Sequence, residues 1–209
     1  MRKNAADFDP IAMLPALCLI PLFAALRLLV GWQLAPSWLS GCTPMAAIAL
    51  CAGIYLPGRW RLAIPLGILL VSDVLLDWHY GADFWTAGML NRYLLLGLIG
   101  AGGMWMRSRG GGAKAGAVLG WTALSSLGFY LGSNALAWRE LPGYAGNLAG
   151  LIQAWTTGLP GYPPSYVFFR NALVSDLLYS IVFIACVSRA RAAGDVLDAN
   201  GAVASAAVR

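Results

Sequence analysis

The sequence predicts an all-α integral membrane protein: six transmembrane helices in one compact bundle, with the N and C termini in the cytoplasm. Three observations carry the prediction. The 209 residues are 59% hydrophobic and 11% charged, with a mean hydropathy of +0.68, whereas charged residues make up about 25% of soluble domains. Six apolar stretches follow one another along the chain. The basic residues avoid alternate connections between these stretches, the pattern set by membrane orientation.

The first stretch, Ile11 to Gly31, carries Arg27 and lacks a small-residue cleavage site behind a short apolar core, so a retained helix is expected rather than a removable signal peptide. Ala12 and Ala16 form a small-residue pair on it that is suited to docking another membrane protein. The second and third stretches, Thr43 to Pro57 and Leu62 to Asp77, fall short of the roughly 20 residues that cross a ~30 Å hydrocarbon core. They are expected to lean on protein neighbours or a locally thinned bilayer. Thr43 is placed to N-cap the second helix, and Pro44 to take its first position. The remaining stretches are Gly88 to Met106, Ala115 to Ala137 and Phe169 to Ser188. Within the long connection Trp138 to Phe168, the segment Tyr144 to Thr156 reads as a short amphipathic helix over the mouth of the bundle, a plausible lid. Gly116, Gly120, Gly128 and Gly132 form a bare stripe on the fifth helix, expected against a neighbouring backbone. Pro15, Pro21 and Pro65 predict local kinks. Residues 1–190 form the single transmembrane domain, residues 191–209 a flexible cytoplasmic tail, and Gly110 to Gly112 a flexible connector.

Arg2, Lys3, Arg59, Arg61, Arg107, Arg109, Lys114, Arg189, Arg191 and Arg209 fall on one side, which the positive-inside rule makes cytoplasmic. The connections 32–42 and 78–87 contain no Lys or Arg. This rule, together with anionic lipid headgroups, accounts for the net charge of +5 and gives no reason to invoke nucleic acid.

Polar residues can then be placed by depth. Arg27, Asp73, Asp77, Asn91, Arg92, Asn134, Arg170, Asn171 and Asp176 all fall in the outer half, the last three within the first two turns of the sixth helix. A charge at the bilayer centre costs about 2.5–3.5 kcal/mol on insertion scales, so such residues face a water-filled cavity or a partner. Two readings stand: an outward-opening polar cavity, or mutual pairing and snorkelling near the headgroups. Val71-Ser72-Asp73-Val74-Leu75-Leu76 recurs as Val174-Ser175-Asp176-Leu177-Leu178 on an antiparallel helix. These carboxylates are positioned to cap loop backbone, hold Arg92 or Arg27, or contact a ligand, with a duplicated scaffold role weighing more than catalysis. Trp32, Trp38, Trp78, His79, Tyr80, Phe84, Trp85, Trp138, Tyr144, Trp155, Tyr162 and Tyr166 crowd the outer side, while only Trp60 and Trp105 lie near the inner boundary. An interfacial belt alone is roughly symmetric, so the excess points to ligand stacking.

Cys18, Cys51 and Cys186 read as packing residues. Cys42, at the outer end with no cysteine at its level, is either an inert thiol or a ligand to a soft or borderline metal carried by the substrate. A protein-held metal is not expected, since His79 is the single histidine and no ligand spacing recurs. Gly-x-Ser-x-Gly and a phosphate-binding loop are both missing, which argues against intramembrane hydrolysis and against ATP hydrolysis by this chain alone.

The block Thr43-Pro44-Met45-Ala46-Ala47-Ile48-Ala49-Leu50-Cys51-Ala52-Gly53-Ile54-Tyr55 is followed by Pro65-Leu66, Ser72-Asp73, Ser125-Ser126, Phe129-Tyr130, Ser133-Asn134, Trp138, Asn171, Asp176 and Tyr179. Together these resemble a bacterial six-helix membrane family similar to the substrate-binding S components of energy-coupling-factor vitamin transporters. Where that family tends to have Asn-Phe before the Ser/Thr-Pro, this chain has Gly41-Cys42, a departure that resembles the solitary S components for cobalamin, in which a pocket cysteine can ligate cobalt. The resemblance implies an S-component-like bundle in the bacterial cytoplasmic (inner) membrane, with a vitamin cavity under the outer loops and cobalamin as the candidate cargo. It implies a ligand set drawn from Cys42, Thr43, Asp73, Trp78, His79, Tyr80, Trp85, Asn91, Arg92, Asn134, Trp138, Tyr166, Asn171 and Asp176, with Cys42 as the cobalt ligand. It also implies either a solitary carrier or one working with an energy-coupling membrane subunit and its ATPases. Two other classes are weighed: a structural or assembly protein locked by its Arg and Asp residues, and an enzyme drawing acid and base from Asp73, Asp176 and His79.

Overall fold

The computed structural model describes residues 10–56, 58–83, 86–109 and 114–207, and among them every regular element is helical. The helices are α1 (Pro10–Gly31), α2 (Met45–Tyr55), α3 (Trp60–Tyr80), α4 (Ala87–Ser108), α5 (Ala115–Glu140), α6 (Leu148–Trp155) and α7 (Ser165–Ala207), with a 3-10 turn at Ser37–Leu39. The six apolar stretches correspond to α1 to α5 and α7, and the short helix expected in the last long connection is α6. Two segments are long and apolar enough to cross a membrane, α3 and Ser165–Ala190 of α7, while α2 and Cys18–Gly31 of α1 are apolar but shorter. Arg2, Lys3, Phe84, Trp85 and Gly110 to Gly112 lie outside the described residues, as do the side chains of Ala12 and Ala16.

One expectation of element length is corrected. The third stretch is not short: α3 has 21 residues and ends where Gly81 adopts a left-handed φ of 60°. The Ala82 N–H returns to the Asp77 carbonyl at 2.9 Å, closing the helix. At the other end of the chain, α7 remains helical through Ala207, over most of the residues expected as a tail. Its alanine-rich composition favours that backbone.

The bundle is organised around α2. This helix is apolar on every side and so has to be buried on every side: Met45 to Ile54 are all buried, sheathed by α3, α4, α5 and α7. With 11 residues at about 1.5 Å each it is only ~16 Å long, roughly half of α3. Its C-terminus is held at one end of the bundle. There Arg107 Nη1 donates to the carbonyls of Ile54, Tyr55 and Leu56 at 3.2, 3.3 and 3.3 Å, and Arg61 Nε donates to Leu56 at 2.8 Å. Guanidiniums there satisfy orphan carbonyls and complement the negative end of the helix dipole.

The N-terminus of α2 stops inside the bundle, where Asp176 Oδ1 accepts the Ala47 N–H at 2.9 Å. Because α7 begins at Ser165 rather than Phe169, Asp176 lies about three turns into it, deeper than expected. The expected Thr43 cap is also corrected: Pro44 occupies the N-cap position and no local side chain caps the helix. The acceptor comes from α7 instead.

Close helix approach falls on α2 and α4. A Cβ at Gly53 would lie 2.3 Å from the Gly100 carbonyl oxygen, and one at Gly103 would lie 2.4 Å from that of Leu50. The glycine stripe of α5 does not do this work, since a Cβ at Gly116, Gly120 or Gly128 would meet nothing within 4 Å and one at Gly132 would meet only the Leu95 side chain. Polarity is inverted relative to a soluble bundle. Ser72, Asp73, Thr122, Ser175, Asp176 and Ser180 are buried, while Leu70, Val71 and Val74 of α3, Leu90, Leu94 and Leu98 of α4, and Val174, Leu178 and Ile181 of α7 are exposed at helical spacing.

Candidate functional site

Since α2 is half-length, α5 and α7 enclose a cavity of about 140 Å³ over its N-terminus. Helical spacing places Ser126, Phe129, Tyr130, Ser133 and Asn134 of α5 on this side, at positions i, i+3, i+4, i+7 and i+8. Ser133 Oγ and Asn134 Nδ2 donate to the Tyr130 carbonyl at 3.2 and 2.9 Å. The Tyr130 ring stacks on Phe169 of α7 at 4.8 Å, and its hydroxyl donates to the Trp155 carbonyl of α6. Ser126 is 2% exposed, and its hydroxyl lies beside the Asp176 carboxylate. Asp176, 1% exposed, completes the floor.

Gly41 closes the cavity beside α7. Its φ is +83°, and a Cβ there would lie 2.9 Å from the Phe168 carbonyl oxygen, so the loop requires glycine at this point. Thr43 also lines the cavity, while Cys42 between them does not. The Cys42 thiol is half-buried and free.

The other expected site residues have separate partners. Asp73, 2% exposed, accepts from Arg27 Nη2 at 2.5 Å and from Arg92 Nη2 at 3.4 Å, and Arg27 Nη1 also donates to Ser72. Asn171 Nδ2 donates to the carbonyls of Trp38 and Ser40 at 2.6 and 2.9 Å, pinning the loop before α2, while its Oδ1 accepts from Arg170 at 3.1 Å. Asn91 Nδ2 donates to Glu140 Oε1 at 3.3 Å. The His79 ring lies 5.5 Å from Trp32 and 4.9 Å from Tyr80, whose hydroxyl donates to the Gly31 carbonyl. Trp78 and Tyr166 are exposed.

Of the expected set, the fold therefore brings Thr43, Asn134 and Asp176 together at the cavity and leaves Asp73, Asn91, Arg92, Trp138 and Asn171 in structural bonds. It adds Ser126, Tyr130, Phe129, Phe168 and Phe169. The three on α5 were visible as a polar and aromatic face recurring at helical spacing; those at the start of α7 carried no such pattern. The expected lid, α6, is tied down: Trp155 Nε1 donates to the Leu131 carbonyl at 3.0 Å, and Trp138 Nε1 holds the preceding loop at Ala145, 2.7 Å. Through Tyr130 it is linked to the cavity wall.

The family whose profile matches the chain, over residues 8–196, is described as a family of unknown function (DUF6580). Comparison with curated proteins and with solved structures finds no match.

Proposed function

We propose that the chain, which belongs to this family of unknown function, is a multi-pass protein of the bacterial cytoplasmic membrane that binds a small solute in the cavity over α2. Six spans with both termini inside rest on the six apolar stretches and the distribution of basic residues, and the role of a substrate-binding component in uptake rests on the resemblance to S components. The carrying observation is the cavity itself: a buried carboxylate and the buried Ser126 hydroxyl beside it face a void inside a bundle that is apolar outside. Polar groups buried in membrane spans mark substrate or ion pathways.

Geometry favours a solute smaller than cobalamin. The cavity of about 140 Å³ is below the ~300–1,000 Å³ of typical ligand sites, and a corrin held by Cys42 requires the outer loops to open. A structural or assembly role draws support from the Arg27, Asp73 and Arg92 cluster, which is internally paired. Enzymatic acid–base work is disfavoured, because Asp176 lines the cavity while Asp73 and His79 do not.

The test is thermal unfolding of the detergent-purified protein against a panel of vitamins that includes cyanocobalamin, beside a Ser126→Leu variant that fills the cavity. Stabilisation of the wild type that disappears in the variant supports the reading. An absence of stabilisation by any solute, or stabilisation equal in both proteins, removes it; retention of corrin lost only in Cys42→Ala would restore cobalamin.

A further inference from the structure

We infer that the cavity over α2 takes a planar, single-ring organic cation. This rests on the solute-binding reading and names the class of solute. Size is the first argument: about 140 Å³ is close to the ~150 Å³ that accommodates one benzene ring. The walls are the second. Phe129, Tyr130, Phe168 and Phe169 all line the cavity, and ring faces attract a cation most strongly where water is excluded.

The floor is the third argument. Asp176 is nearly fully buried and lines the cavity, yet both ion pairs found among the described residues belong to Asp73. Arg170, on the same helix, is engaged with Asn171. The α2 N-terminus supplies roughly half a positive charge and the Ala47 N–H one hydrogen bond, so an ionised Asp176 leaves the floor net negative. A cationic ring completes the balance, a neutral ring leaves the carboxylate unpaired, and an anionic ring meets like charge. Ser126 Oγ lies buried beside Asp176, within hydrogen-bonding reach of its carboxylate, and faces the same cavity.

The experiment is calorimetric titration of the full-length protein in detergent with three probes of similar size: N-methylpyridinium, toluene and benzoate. The expected result is saturable binding of N-methylpyridinium at least about tenfold tighter than toluene, with no binding of benzoate. In Asp176→Asn, which keeps an oxygen acceptor for the Ala47 N–H, affinity for the cation falls about tenfold while that for toluene does not. Equal or tighter binding of toluene or benzoate, or no binding of N-methylpyridinium, overturns the inference. The wild-type probe series decides this even if the variant fails to fold. If a neutral or anionic vitamin stabilises the wild type and loses its effect in Ser126→Leu, solute binding stands and only the cationic class falls.

Discussion

Asp73 and Asp176 occupy nearly identical sequence contexts, and their serine neighbours behave alike: Ser72 and Ser175 each donate to a carbonyl of their own helix at 2.9 Å. The carboxylates diverge. Asp73 meets two guanidiniums, and Asp176 meets a helix N-terminus. Removing the Asp73 charge leaves Arg27, only 21% exposed, without its counter-ion, so Asp73→Asn should lower stability by about 3 kcal/mol. Arg92, 38% exposed, contributes little to that figure. Thermal unfolding checks this, and the apolar pair Arg27→Met with Asp73→Leu should recover most of the loss. Asp176→Ala removes a cap in trans and should cost about 0.5–2 kcal/mol in the same assay. A repeat marks two carboxylates as structurally important, but the groups that meet them come from residues far apart in sequence, such as Arg27 with Asp73 and Ala47 with Asp176. This is why the scaffold role and the candidates Arg27 and Arg92 were legible, whereas which carboxylate meets which group was not.

At the level of elements, hydropathy located the helices because each needs a run of apolar residues whatever it packs against. It could not show that α2 is the enclosed one, since burial depends on neighbours. Nor could it rank the glycines: four on α5 look like a packing stripe, while the contact is made by Gly53 against Gly100 and Gly103. Gly53→Ala should therefore force α2 and α4 apart at a cost of about 1–3 kcal/mol. Gly120→Ala, with open space at its Cβ, should be neutral or stabilising by up to about 1 kcal/mol. Equal effects of the two substitutions in thermal unfolding would contradict this packing scheme. Truncating Arg107 to Met should loosen the C-terminal end of α2, measured as faster amide exchange at Ile54 to Leu56.

For the whole molecule, the cavity exists because a half-length helix is held at one end by Arg61 and Arg107 and stops against Asp176 at the other. The proposed orientation, by the positive-inside rule, has the cavity end outside. A membrane-impermeant maleimide should then modify Cys42 in intact cells, with labelling lost in Cys42→Ser; labelling that appears only after permeabilisation would invert the topology. The polar residues could be singled out from sequence, whereas the division between those that bond each other and those that face a void required the fold. The most direct measurement is native mass spectrometry of the protein released from micelles after exposure to the solute panel. The account predicts a one-to-one small-molecule adduct on the wild type that is absent from Ser126→Leu. A wild-type protein that carries no adduct, or an adduct that persists unchanged in the variant, would contradict a solute site over α2.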